Sequence, residues 1–237
     1  MLAMTLSAEH GTTEAAFGLV TGEGGCERVL DKKMRAAGPR VLQAREHVFF
    51  EGDSQDHVYQ VERGVVCLYK TLSDGRRQIL DFSYPGDFIG LGAACEHVFS
   101  AQAIMLTRLR CMPASRLHEV ARHDPQVSMQ LYRALSQQLL AAHDLLLTVG
   151  QRNATERLAA LLVALSRNNE RNGTDPLRIA LPMTRADIAD FLSLTIETVS
   201  RTFTKMRKSG LIELVQSSLV LVRDRCALQQ LAAGEMH

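Results

Sequence analysis

Residues 184–210 read TRADIADFLSLTIETVSRTFTKMRKSG, and this stretch decides the fold of the C-terminal part of the chain. Thr184 is a side-chain cap, and Asp187 three residues on completes a capping-box-like start. Ile188, Phe191 and Leu192 follow at helical spacing and form one apolar face. Ser193 and Leu194 make a tight turn, and Thr195 caps a second helix. In that helix Val199, Phe203 and Met206 fall at i, i+4 and i+7, a stripe to be buried. Glu197, Ser200, Arg201, Thr204 and Lys208 fall on the other side. A short helix, a turn and a longer helix with a polar outer face form the helix-turn-helix pattern that reads a DNA major groove.

The residue types suit that task. Guanine presents O6 and N7 acceptors in the major groove, and cytosine presents an N4 donor. Arg201 can fork onto the first and Glu197 can accept from the second. The two are four apart and sit one above the other near the helix N-terminus. An i,i+4 surface ion pair would have the same spacing, and by itself the pair favours that plainer reading. The caps, the turn and the β-rich segment that follows reverse the balance. Glu197, Ser200 and Arg201 are therefore the expected base contacts. Arg185, Thr195, Lys205 and Lys208 are expected to touch phosphate, which positions a protein without specifying sequence.

Composition agrees with a contact made by one face only. The formal net charge is +1, yet residues 152–208 carry ten Lys or Arg against six Asp or Glu. Five cysteines, odd in number and scattered, argue against a disulfide framework and for a reducing compartment. No signal-peptide pattern opens the chain, and the longest apolar run, near 158–165, is too short to span a bilayer. A cytoplasmic protein is expected. The sequences G-x-S-x-G, H-E-x-x-H and G-x-x-x-x-G-K do not occur, which speaks against the common enzyme classes.

Four segments are expected along the 237 residues. Residues 1–27 read as a mobile arm. Residues 28–124 carry short β-prone runs punctuated by Gly52, Gly64, Gly75 and Gly86, the rhythm of an antiparallel barrel or sandwich. Ser73-Asp74-Gly75 marks a hairpin turn. Residues 125–150 read as one long helix in which Tyr132, Leu135, Leu139, Ala142, Leu146 and Val149 step by three and four, an a/d seam for dimerisation. Gly150 is a candidate hinge. Residues 151–237 hold another amphipathic helix from Glu156 to Leu165, a polar turn over 168–176, the helix-turn-helix, and a two-stranded wing around residues 216–218. The fold class is α+β: an N-terminal antiparallel β-roll, a dimerisation helix and a C-terminal winged helix-turn-helix.

This order resembles the CRP/FNR superfamily of bacterial transcription regulators over roughly residues 30–230. The residues that carry it are Gly52-Asp53, Arg63-Gly64, Asp74-Gly75, the run from Pro85 to Gly90, and the run from Leu181 to Ala189. Ile196-Glu197-Thr198-Val199-Ser200-Arg201 is similar to the FNR and FixK form of the recognition helix; the CRP form has Arg and Gly where Ile196 and Ser200 stand. Ser193 departs from the Gly that many relatives place in the turn.

The resemblance implies a homodimeric regulator of FixK type that binds TTGA-type palindromes, with Ile196 joining Ser200 as a base contact that tunes the thymines, and with RNA polymerase as a further partner. It implies an activator of microaerobic, respiratory or nitrogen-fixation genes. Cyclic-nucleotide binders of this fold use a Glu and an Arg just after the Gly-Asp-Phe-Ile-Gly run. Here that segment is Leu91-Gly92-Ala93-Ala94 and Phe99-Ser100-Ala101, which argues against cyclic AMP because an unpaired phosphate would be buried at several kcal/mol cost. An FNR-type iron–sulfur cluster needs four cysteines, and the N-terminal arm has only Cys26. Cys111 lies one residue from the fourth position. Cys67, Cys95 and Cys111 read as small buried hydrophobes. No cofactor is therefore expected. The eight histidines show no pairing that singles out a haem ligand, although a ligand-gated regulator and a module acting on a partner protein are the competing readings.

Overall fold

A computed structural model describes residues 29–92 and 94–235; the arm of residues 1–27, with Cys26, lies outside them. The chain opens with helix α1 (Val29–Arg35) and strands β1 (Gly38–Leu42), β2 (His47–Phe49), β3 (His57–Arg63), β4 (Val66–Thr71), β5 (Arg77–Ser83), β6 (Phe88–Ile89), β7 (Ser100–Ala103) and β8 (Thr107–Pro113). These strands form two four-stranded antiparallel sheets, ordered β1-β8-β3-β6 and β2-β7-β4-β5. The expected β-roll is therefore present. Leu42, Tyr59, Val61, Ile89 and Leu109 from the first sheet meet Val48, Phe49, Val66, Leu68 and Ala101 from the second, and together they form one core.

The four glycines do what their spacing requires. Gly52, Gly64, Gly75 and Gly86 all have positive φ, between 82° and 98°. Gly64 is the least replaceable, because a Cβ there would lie 2.4 Å from the Thr107 hydroxyl.

On its outer face the first sheet is covered by helices. Val58, Phe88 and Met112 pack on Leu30 and Met34 of α1, on Leu117 of α2 (Ala114–His123) and on Val127 of α3 (Pro125–Gln151). Asp124 caps α3 and Pro125 occupies its first turn. This helix of 27 residues is about 40 Å long. Gly150 does not bend it: α3 runs through that position to Gln151. The chain breaks instead at Arg152-Asn153, where Asn153 and Glu156 form the capping box of α4 (Ala154–Arg171). That local cap, and not glycine, sets the hinge.

The rest is the helix-turn-helix and its wing. Strand β9 (Arg178–Ala180) joins β10 (Ile212–Gln216) and β11 (Leu219–Val222) in the order β10-β11-β9, so the wing has a third strand that the sequence pattern did not reveal. Between them lie α5 (Arg185–Leu192) and α6 (Ile196–Lys208), and α7 (Arg225–Ala233) closes the fold against α4. The buried core of this unit is continuous with Val65, Cys67, Ile79, Phe82 and Tyr84 of the β-roll.

Of the three described cysteines expected inside, only Cys67 is fully buried; Cys111 is half-buried and Cys95 is exposed. Cys95 sits on a surface loop whose backbone is tied down through Gln55 and Ser54, so its thiol is left outside. No helix among the described residues is long and apolar enough to cross a membrane.

Candidate nucleic-acid interface

Each element of the interface begins with a cap. The Thr184 hydroxyl accepts from the Asp187 amide at 3.1 Å, and the Asp187 carboxylate accepts the Thr184 amide at 2.9 Å, a full capping box for α5. Ser193 ends α5 in the left-handed region at φ 53°. A residue with a Cβ pays to adopt that conformation, and three hydrogen bonds hold the turn there. Arg157 of α4 donates to the carbonyls of Leu192 at 2.9 Å and Ser193 at 3.3 Å, and the Ser193 hydroxyl meets Gln78 at 3.2 Å. Thr195 then caps α6 by accepting from the Thr198 amide.

Helix α6 divides as its sequence predicts. Val199, Thr202, Phe203 and Met206 are buried. Of the expected base contacts, Glu197, Ser200 and Arg201 are exposed on the opposite side, and Ile196 is exposed at the start of the helix. The Arg201 guanidinium has one long contact, 3.4 Å to the Thr198 hydroxyl, and is otherwise presented to solvent. Glu197 lies in the first turn, where its own backbone amide, the Thr195 hydroxyl and Arg201 hold its carboxyl below the usual range. It is thus an acceptor at neutral pH, as pairing with a cytosine amino group requires.

The expected phosphate contacts are less uniform. Thr195, Lys205 and Lys208 are exposed, and so is Arg207 in the same last turn, which has no role in the sequence reading. Arg185 is half-buried instead. Its guanidinium lies 3.4 Å over the Phe203 ring, and Nη1 is enclosed without a hydrogen-bond partner. To reach phosphate it would have to swing off that ring. Burial also pulls its pKa down.

On α3 the expected seam is open to solvent. Tyr132, Leu135, Leu139, Ala142 and Leu146 are exposed and Val149 is half-buried, while Val127, Ala141 and Thr148 point into the protein. Met129, Leu140 and Leu147 widen the exposed stripe beyond the a/d positions.

The β-roll carries apolar side chains at the two positions where cyclic-nucleotide binders of this fold place an acid and a base. Leu91 and Phe99, where an acid and a base would hold ribose and phosphate, pack into the two apolar clusters of the roll. His97 lies stacked on Phe49, with ring centroids 3.4 Å apart, and burial lowers its pKa. Among the described residues no three His, Cys, Asp or Glu side chains converge as metal ligands would.

Comparison with known proteins agrees with this geometry. The sequence profile of the Crp-like helix-turn-helix domain matches residues 156–231, and that of the cyclic nucleotide-binding domain matches residues 39–124. The nitrogen fixation regulation protein FixK of Azorhizobium caulinodans is 39% identical over 194 residues, 81% of this chain and 78% of that protein. The fumarate and nitrate reduction regulatory protein of Escherichia coli is 32% identical over 193 residues, 81% of this chain and 77% of that protein. The structure of FixK2 from Bradyrhizobium japonicum superposes with a TM-score of 0.78 at 36% identity, over 82% of this chain and 96% of that one. The chain belongs to the CRP/FNR family, on its FixK-like side. It is a DNA-binding transcriptional regulator and not an enzyme.

Proposed function

We propose that this CRP/FNR family member acts as a homodimeric activator that reads TTGA-type palindromes. The observation that carries the reading is the division of α6, with Glu197, Ser200 and Arg201 exposed on one side and Val199, Phe203 and Met206 buried on the other. Arg201 forks onto the guanine, Glu197 accepts from its paired cytosine, and Ile196 and Ser200 tune the neighbouring thymines. Thr195, Lys205, Lys208 and a swung-out Arg185 supply phosphate contacts. The exposed stripe on α3 supports the dimer, because seven large apolar side chains are open on one helix and want a matching partner.

The signal is supply of the protein, with no bound nucleotide or cluster. The apolar packing of Leu91 and Phe99 supports that part. The names of the FixK relatives and of the fumarate and nitrate reduction regulator support nitrogen-fixation or respiratory genes as targets; microaerobic genes as targets and RNA polymerase as a partner belong to the activator reading.

A binding series over single-base variants of a TTGA palindrome tests this reading. Arg201→Ala should cost about 1–3 kcal/mol per half-site and erase the preference at the guanine alone. Lys208→Ala should weaken every sequence alike and reduce the salt dependence. If Arg201→Ala lowers affinity uniformly and keeps every base preference, Arg201 is a phosphate ligand and the register is wrong.

A further inference from the structure

Arg77, the first residue of β5, is more than one hundred residues from α5 and holds it by two carboxylates. Its Nη2 pairs with Asp187 and its Nε donates to Asp190 at 2.9 Å. The guanidinium is already built into the sheet before it meets the helix. It lies 5.4 Å over the Tyr69 ring on β4, and Nη1 reaches Gln102 on β7 at 3.4 Å. Next to it the Gln78 amide donates to the Asp190 carbonyl at 2.6 Å, and its oxygen accepts from the Ser193 hydroxyl. Phe82 and Phe191 complete the contact, with ring centroids 5.1 Å apart. Both ends of α5 and the turn after it are thus gripped by one strand of the β-roll.

Two features say what this grip does. It uses the face of α5 and the turn backbone and leaves Ile196, Glu197, Ser200 and Arg201 of α6 exposed, so it does not cover the reading face. It also neutralises Asp187 and Asp190. In helix-turn-helix proteins the first helix crosses the DNA backbone, where two free carboxylates would repel phosphate. Burial pushes the Asp187 carboxyl up, but the Thr184 hydroxyl and amide and the Arg77 guanidinium outweigh it and hold the group below its usual range. An arginine fork on two carboxylates is a directional contact, fixing angle as well as distance.

We propose that Arg77 and Gln78 are positioning residues that lock the helix-turn-helix on the β-roll in its DNA-competent orientation. They thereby set the half-site separation that the dimer reads. This rests on the palindrome-binding dimer proposed above. In a dimer joined along α3, a rotation of either α5 moves its recognition helix off the second groove. One added base pair rotates the second half-site by roughly 35° about the DNA axis. A locked pair of reading heads discriminates against that change, and a loosened pair tolerates it.

The test uses the full chain and palindromes of optimal spacing, or with one base pair added or removed. Arg77→Leu should lose about tenfold in affinity at the optimal spacing, within the range of such couplings. It should also lose most of its discrimination between spacings and keep the same order of single-base preferences. Arg77→Lys should recover part of the affinity and of the spacing profile. Asp190→Asn should add nothing in the Arg77→Leu background. If Arg77→Leu does not fold, Gln78→Ala carries the same measurements, because it removes the hydrogen bonds to the end of α5 and leaves the Arg77 ion pairs in place. Unchanged affinity and spacing profile in a folded, dimeric Arg77→Leu overturn the proposal. So does a gain in affinity, which would make the contact inhibitory. An unaltered chain that binds no palindrome sinks the DNA reading itself. Normal binding by that chain with an unmoved variant sinks the lock alone.

Discussion

The Arg157 guanidinium donates at 2.9 Å to the carbonyl of Leu192 and, through Nε, at 2.8 Å to the carbonyl of Arg152. One side chain therefore ties the break after α3 to the turn of the helix-turn-helix. Arg157→Leu leaves those carbonyls without a donor and should cost about 1–3 kcal/mol. Urea unfolding followed by circular dichroism reads this as a lower midpoint at an unchanged slope. A midpoint equal to that of the unaltered chain means that water replaces the guanidinium at no cost.

The stripe on α3 makes the second prediction. Leu139 is 58% exposed in the single chain, and burying a leucine of this kind contributes about 1.5–3 kcal/mol. Leu139→Glu puts a charge into the seam and should give a folded monomer with weakened DNA binding. Sedimentation of the variant as a dimer at micromolar concentration would contradict the seam.

Oxygen should leave the protein unaffected at equilibrium. The N-terminal segment offers only Cys26 as a ligand, so chain purified without oxygen should be colourless and contain no stoichiometric iron. Its affinity for DNA should be similar before and after exposure to air. Brown anaerobic protein whose colour bleaches in air would refute this.

Asp81 gives a prediction about pH. Burial pushes its carboxyl from 3.8 up to about 6, against one hydrogen bond from the Phe82 amide that pulls the other way. The folded chain thus holds this proton more tightly than the unfolded chain does. The group favours folding below about pH 4 and loses that contribution as pH rises through about 6. Asp81→Asn should raise stability at pH 7.5 by about 1–2 kcal/mol and change little near pH 4. Denaturation at the two pH values checks this; an equal gain at both would assign the effect to something other than ionisation.

What the sequence disclosed was local. Thr184 and Asp187 are three residues apart, as are Thr195 and Thr198, and a cap is a contact between near neighbours. Val199, Phe203 and Met206 declared a buried face by period alone, and the glycines of the β-roll marked turns that need positive φ. The hinge was misplaced because Gly150 was read by its type, whereas the Asn153–Glu156 box sets the break. Arg185 reads as one more cation at a helix start, and only the fold brings Phe203 under it. Arg77 was invisible for the same reason: its partners Asp187 and Asp190 are adjacent only after two separate units have docked. Strand β9 has three residues and α7 follows no motif, so neither shows a period long enough to recognise.

The apolar cluster that joins Val65, Ile79 and Phe82 of the β-roll to Leu161, Phe191 and Leu192 belongs to both halves of the protein. Neither half has a finished surface on that side without the other. The two should therefore melt together, in a single calorimetric transition instead of two. A protease that cuts near Arg152 should liberate no fragment that survives alone. An organism that tunes this regulator by degradation would need only one cut to remove the whole molecule.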